Sequence, residues 1–310
     1  MKVLVTGGAG FIGSHVVDIL IEEGHQVCIV DNLWERGGGR MENVNRQARF
    51  YKVDVRDMAL VDVFEKERPE AVCHLAAQHS VAISTDMPAY DAQVNILGLI
   101  NLLECCTRFA TGKLVFSSSG ATYGTVEKMP VDEDTPQHPV SPYGITKLAS
   151  EHYLGYWKQV YSLDFTSLRY GNVYGPRQDP TGEAGVIAIF AHAILEKDTV
   201  RIHWDGEQRK DYVYVRDVAR ANLLALTRGG GEALCIATGK GTSVNAVYNS
   251  LVDVIGYRAK TVRVPKRPGD TYLTYFDCSK AEEELGWKAE MDLEEGLRVT
   301  VDYFIAKLGM

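Results

Sequence analysis

Tyr143 and Lys147 stand four residues apart in Ser141-Pro142-Tyr143-Gly144-Ile145-Thr146-Lys147, a spacing that puts both on one face of a helix. An ammonium near a phenol favours the phenolate and lowers its pKa from about 10, which makes a tyrosine a proton acceptor near neutrality. Alone, such a pair is most often only a surface feature. Upstream, however, Phe116-Ser117-Ser118-Ser119-Gly120-Ala121-Thr122-Tyr123-Gly124 follows an apolar run. A serine hydroxyl at that strand end can share a substrate proton with the tyrosine, completing a Ser/Tyr/Lys set.

A second constellation opens the chain. Thr6-Gly7-Gly8-Ala9-Gly10-Phe11-Ile12-Gly13 is a G-x-x-G-x-x-G between a short β-branched run and an amphipathic helix. Glycine there allows a tight turn and close approach of a pyrophosphate, whose charge the N–H groups of the helix N-terminus receive. The context favours a dinucleotide over a plain glycine-rich turn. The next strand ends in Val30-Asp31-Asn32, where a carboxylate can hold a ribose hydroxyl and repel a 2′-phosphate, so NAD is expected rather than NADP. Val53-Asp54-Val55 and His74-Leu75-Ala76-Ala77-Gln78 end two further strands and supply edges for the adenine and nicotinamide halves. Asp54 reads equally well as a helix cap or turn residue.

These residues need elements to hold them. Lys2 to Thr6, Gln26 to Val30, Arg49 to Val53, Ala71 to His74, Lys113 to Ser117 and Asp164 to Arg169 read as strands. Phe11 to Glu23, Asp57 to Glu67, Ala89 to Phe109 and Tyr143 to Val160 read as helices between them. The alternation predicts an α/β fold: a Rossmann-type doubly wound parallel sheet with ligands beyond the carboxyl ends of its strands. After about Tyr170 the pattern shortens and turns multiply. We expect a NAD-binding domain over 1–172, with returning segments near 211–237, and a smaller α/β substrate-binding domain over 173–310. The stretch Ala89 to Phe109 is apolar around more than one face, as suits a partner surface or a helix sandwiched within one subunit.

Composition sets the outer limits. The 310 residues are 45% hydrophobic and 24% charged, enough for a sizeable core and against disorder. A net charge of −8 speaks against a polyanion-binding surface, so no nucleic acid is expected. No apolar stretch reaches membrane-spanning length, and the first apolar run is too short for a signal peptide, so a cytoplasmic protein is expected. Cys28, Cys73, Cys105, Cys106, Cys235 and Cys278 show no disulfide framework, and the eight histidines no metal-ligand spacing.

With these motifs in place, the sequence resembles the extended short-chain dehydrogenase/reductases, and among them most closely the bacterial and archaeal UDP-glucose 4-epimerases. The resemblance runs over essentially the whole chain. Beyond the two motifs above it includes Leu168 to Pro180, Gly182 to Phe190, Asp211 to Asp217 and Arg267 to Asp270.

It implies Tyr143 as base, Ser119 as the hydroxyl that bonds the sugar, and Lys147 as ligand of the nicotinamide ribose and electrostatic partner of Tyr143. Tyr170 would border the cofactor. It further implies Asn172, Val186, Arg267 and Asp270 at a UDP-sugar, and a phosphate contact from Lys210 or Arg209 where relatives often carry arginine. Thr274 falls where some epimerases have a tyrosine that crowds the sugar 2-substituent, which would admit N-acetyl forms.

The implied reaction is 4-epimerisation of UDP-galactose and UDP-glucose by a hydride loaned to bound NAD. Dehydratases need an acid pair after the catalytic hydroxyl, where this chain has Gly120-Ala121. UDP-glucuronate 4-epimerisation is the nearest alternative, and a non-catalytic NAD-responsive binding protein the more distant one. A homodimer through residues 89–109 and 143–160 is the expected assembly.

Overall fold

The computed structural model describes residues 1–181, 185–266 and 270–310. In chain order, β1 (Lys2–Thr6) runs into α1 (Phe11–Glu22), followed by β2 (Gln26–Asp31), β3 (Arg49–Lys52), α2 (Leu60–Glu67) and β4 (Ala71–His74). Two short helices, α3 (Val81–Asp86) and α4 (Pro88–Ala92), lead through a π turn (Gln93–Leu97) into α5 (Gly98–Arg108). Then come β5 (Lys113–Ser119), α6 (Pro142–Tyr161) and β6 (Asp164–Tyr170).

Beyond β6 the elements shorten, as the turn-rich sequence implies: β7 (Asn172–Tyr174), α7 (Val186–Leu195), β8 (Val200–His203) and β9 (Arg209–Tyr214). They continue with α8 (Val215–Ala225), β10 (Glu232–Ile236), β11 (Gly241–Ser243) and α9 (Val244–Ile255). The chain closes with β12 (Thr261–Val264), β13 (Leu273–Thr274), α10 (Ser279–Leu285) and α11 (Leu293–Leu308).

Seven strands form one sheet in the order β10-β6-β5-β4-β1-β2-β3, every neighbouring pair parallel. The near-continuous apolar runs of β1, β2, β4 and β5 are buried on both faces, which is what a parallel sheet covered by helices demands. The strand order reverses between β1 and β4, and the crevice opens at their carboxyl ends. This is the Rossmann-type architecture the alternation predicts.

A second sheet has the order β11-β9-β13, with β7 also paired to β9, and β12 and β8 form a separate pair. Helices α7, α9 and α11 enclose a core of their own against it, with Ile187, Phe190, Val247, Leu251 and Phe304 all buried. Within 211–237, residues Asp211–Tyr214 lie on β9 of this second sheet, α8 packs on α1, and β10 joins the edge of the large sheet beside β6.

One expected element takes a different form. The stretch Ala89 to Phe109 reads as a single helix, yet the structure divides it at the π turn. There Asn95 is buried with its side chain bonded to both the N–H and the C=O of Gln78, at 2.9 Å each. A π turn admits one extra residue without ending the helix. Among the described residues, no helix is long and apolar enough to cross a membrane.

Candidate active site

The crevice at the strand ends is a cavity of about 400 Å³ whose lining draws on both sheets. Gly7, Gly10, Phe11, Ile12 and Gly13 line one wall. Gly7 has φ +72°, and a β-carbon there would sit 2.7 Å from the Ala76 nitrogen, while one on Gly13 would sit 2.1 Å from the Gly7 oxygen. Only glycine permits that turn and lets α1 start so close to the sheet. No side chain caps α1 at Gly10, so its first N–H groups remain for an anion to accept from.

Asp31 ends β2, buried, accepting from the Ala9 N–H (3.0 Å) and the Leu33 N–H (2.8 Å). Each carboxylate oxygen keeps further acceptor capacity for a ribose hydroxyl. Asn32, Asp54, Val55, Leu75, Ala76, Ala77, Gln78 and Tyr170 line the same cavity. Asp54 is engaged twice over: Arg56 donates to both of its oxygens (2.8 Å each), Asn32 donates to it at 2.8 Å, and these bonds hold its carboxyl down at about 2. Trp34 and Tyr90, edge to face at 5.7 Å, complete this end. No motif marks these two aromatics, because they meet only through the fold.

At the other end, β5 extends two residues further than its apolar run suggests, because it pairs with β6 up to Ser119 and Tyr170. Ser141 caps α6 by accepting from the Gly144 N–H at 3.1 Å, with Pro142 in the first turn. A β-carbon on Gly144 would fall 2.5 Å from the Ala121 oxygen. That close approach brings Tyr143 against the end of β5, where the nearby Ser119 hydroxyl favours its phenolate. Lys147 is buried one turn on; its Nζ donates to the Ser117 C=O at 2.7 Å and lies 5.8 Å from the Tyr143 ring centre. Burial pushes the phenol up to about 12, which the Ser119 hydroxyl opposes, and brings the ammonium down to about 8.

Asn172 and Val186 line the cavity together with Tyr174, Gln178 and Tyr212. Among the described residues, the buried hydroxyls of Tyr174 and Tyr212 and the Gln178 carbonyl oxygen have no hydrogen-bond partner, the Tyr174 hydroxyl lying against Gly296 of α11. Other expected substrate contacts lie back from the cavity wall. Lys210, on β9 beside Tyr212, donates to the Thr271 carbonyl (2.8 Å) and hydroxyl (2.6 Å), because a buried ammonium needs acceptors. Thr271 in turn meets the Thr274 hydroxyl at 2.8 Å. Arg209, on the opposite face of β9, points outward and is exposed. Asp270 is half-buried off the lining, and Arg267 lies outside the described residues.

Ion pairs tie the segment after β2 to the rest. Arg40 pairs with Asp179, which lines the cavity, and Glu42 pairs with Lys307 of α11 at 3.0 Å. Arg177 reaches Asp18 of α1 at 2.7 Å.

Behind Tyr143 and Lys147 lies a polar network that no motif revealed: Gln78, Asp91, Asn95 and Thr146, all buried. The available signal was an Asp and an Asn within a stretch otherwise apolar nearly all round.

A family model described as GDP-mannose 4,6 dehydratase matches residues 4–300. A UDP-glucose 4-epimerase of Thermotoga maritima, solved with UDP-glucose, is 50% identical with a TM-score of 0.97, over 99% of this chain and 100% of that one. A UDP-glucose 4-epimerase of Thermus thermophilus, solved with NAD, is 44% identical with a TM-score of 0.94, over 98% and 99%. A UDP-N-acetylglucosamine 4-epimerase of Methanobrevibacter ruminantium, solved with UDP-N-acetylmuramic acid, is 38% identical with a TM-score of 0.93, over 99% and 98%.

Proposed function

We propose, from the premise that this chain belongs to the GDP-mannose 4,6-dehydratase family, that its reaction is not dehydration but the reversible 4-epimerisation of UDP-hexoses. One observation carries the choice. Elimination of water needs an acid after the catalytic hydroxyl, and here Gly120 and Ala121 follow Ser119. A β-carbon on Gly120 would fall 2.4 Å from the Phe276 ring, so no carboxylate fits without displacing a buried aromatic. A sugar oxidised at C4 meets no acid at these two positions to eliminate water, and its remaining course is reduction. The epimerase relatives support the same reading.

NAD fits the glycine turn, the uncapped start of α1 and Asp31, and when bound it supplies a hydride acceptor, later a donor, and a positive ring that favours the Tyr143 phenolate. Tyr143 removes the proton of the sugar 4-hydroxyl and later returns it. Ser119 bonds the same oxygen and shares the proton. Lys147, fixed by the Ser117 carbonyl, holds the nicotinamide ribose and stabilises the phenolate. Because the ketone must be offered to the hydride from its opposite face, the diphosphate anchors the substrate while the sugar turns. Asn172 and Val186 hold the nucleotide half, with Arg267 on the diphosphate, its fork suited to two oxyanions. Lys210, held by Thr271, keeps a third N–H for the diphosphate. The small Thr274 extends the substrates to N-acetylated UDP-hexoses.

The exposed face of α6, with Ile145, Tyr153, Tyr156, Val160 and Tyr161, and Leu97 of the π turn, supports a homodimer. Six unpaired thiols fit a reducing cytoplasm.

The test is a panel of UDP-galactose, UDP-N-acetylgalactosamine and UDP-glucuronate, assayed for 4-epimers without added NAD. UDP-glucose should form from UDP-galactose, and Tyr143→Phe should lose about 10²- to 10⁴-fold in kcat. No UDP-glucose from the NAD-containing protein, or full activity in the variant, would sink the reading.

A further inference from the structure

Asp91 is buried at 0% exposure at the end of α4, and it pairs with no cation among the described residues. Its Oδ1 accepts from Gln78 Nε2 at 2.7 Å and from Asn95 Nδ2 at 3.1 Å, and its Oδ2 accepts from the Thr146 hydroxyl at 2.8 Å. The amide orientations are forced. The Ser80 N–H donates to Gln78 Oε1 at 2.7 Å and the Gln78 N–H to Asn95 Oδ1 at 2.9 Å, so both NH₂ groups must turn toward Asp91. Two NH₂ groups are fixed on Oδ1, and the single Thr146 proton is shared between Oδ2 and the Tyr143 carbonyl. Burial raises the carboxyl, and these donors together with the charge of Lys147 oppose that and favour the anion.

Thr146 lies between Tyr143 and Lys147 on α6, and its hydroxyl also reaches the Tyr143 carbonyl at 3.0 Å. We propose that Asp91 is a positioning residue for the Tyr143–Lys147 pair, its buried charge setting the pH range in which the pair exchanges protons and its bond to Thr146 fixing the first turn of α6. This rests on the epimerase reading of the same site.

The titratable groups facing the pair support the assignment. Asp91 from α4 raises both Tyr143 and Lys147, and Glu151 from α6 raises Lys147. Glu151 is already neutralised by Arg169, at 2.7 Å and 3.0 Å. His74 at the end of β4 faces Lys147, and burial lowers it to about 3, so it is neutral near pH 7; His79 beyond it is exposed on the cavity lining. Ser119 adds its hydroxyl from β5. Asp91 is thus the one carboxylate beside the pair whose charge no cation cancels among the described residues.

Asp91→Asn separates charge from shape. Its oxygen can still accept from Gln78 and Asn95, while its NH₂ donates to Thr146 Oγ, which keeps its bond to the Tyr143 carbonyl. Loss of the negative charge favours the phenolate and disfavours the ammonium, so both limbs of the kcat–pH profile should move to lower pH by about half a unit or more. KM for UDP-galactose should stay within about twofold, since a positioning group behind the pair touches no substrate. Asp91→Glu, which restores the charge, should return the limbs to their parental positions even if kcat stays low.

A readout independent of turnover is the ultraviolet titration of the Tyr143 phenolate, taken as the difference between each protein and its Tyr143→Phe counterpart. Its midpoint should fall in Asp91→Asn. An unmoved midpoint in a folded variant overturns the proposal, as does failure of both Asp91→Asn and Asp91→Glu to yield folded, NAD-containing protein, which marks a purely structural role. No epimer formation by the parent counts against the epimerase reading, while the phenolate titration still decides the role of Asp91.

Discussion

His74 puts an uncharged imidazole behind the site, buried off the cavity lining. Burial brings it down to about 3, and its Nδ1 lies 2.7 Å from the Thr6 hydroxyl, which accepts from the Ala76 N–H at 3.2 Å and is free to donate to the ring. His15, bonded to the Pro176 carbonyl at 2.9 Å, is brought down to about 4 by burial. An unfolded chain protonates both near the ordinary value of about 6.5. Between that pH and the folded values the unfolded state binds more protons, so stability rises with pH. It is fully present above about 6.5 and is lost on acidification, for His74 at about 1.4 kcal/mol per pH unit. The melting temperature should therefore fall steadily from pH 7 to pH 4.5, and His74→Gln should flatten that slope; parallel slopes for parent and variant would contradict it. The chemistry of Tyr143 and Lys147 was legible because helical spacing alone puts them on one face. The neutral state of His74 and the network around Asp91 were not, because Thr6 stands 68 residues from His74, and Gln78 and Thr146 stand 13 and 55 residues from Asp91.

The strands of the first half begin where the sequence puts them and end within two residues of the expected places, β3 one residue early, since a buried parallel strand must be an apolar run and such runs end visibly at polar turns. The interrupted helix before β5 was not legible. One inserted residue barely changes an apolar pattern that already covers most of the surface, and only the demand of the Gln78 backbone for Asn95 reveals it. That same region leaves Leu97 at 58% exposure, and α6 leaves Tyr156 and Val160 at 50% and 51%. Apolar side chains grouped on one helix face mark a contact surface. Charges at two of these positions, Tyr156→Glu with Val160→Glu, should give a monomer by sedimentation where the parent forms the proposed dimer, without loss of fold, since neither side chain belongs to the core. A variant that still sediments as a dimer would place the interface elsewhere.

For the whole molecule, the net charge of −8 conceals where cations are used. Arg40 and Lys307 bind the segment after β2 to Asp179 on the far side of the cavity and to the last helix, so the cofactor half of the crevice is closed over by chain that neither sheet contains. The division into two sheets was readable from the change in pattern near Tyr170, whereas this closure was not, because it joins charges 139 and 265 residues apart. A partly exposed ion pair contributes at most about 1 kcal/mol. Asp179→Asn should accordingly speed the loss of NAD on dilution by about two- to fivefold, with high salt doing the same to the parent; equal retention in both would exclude the segment as a restraint. A nucleotide held in this way would be carried by its protein rather than drawn from a pool. Each molecule would then have a history: one that released its ketone early would keep a reduced cofactor and stay silent, however much oxidised nucleotide surrounded it, until a ketone returned.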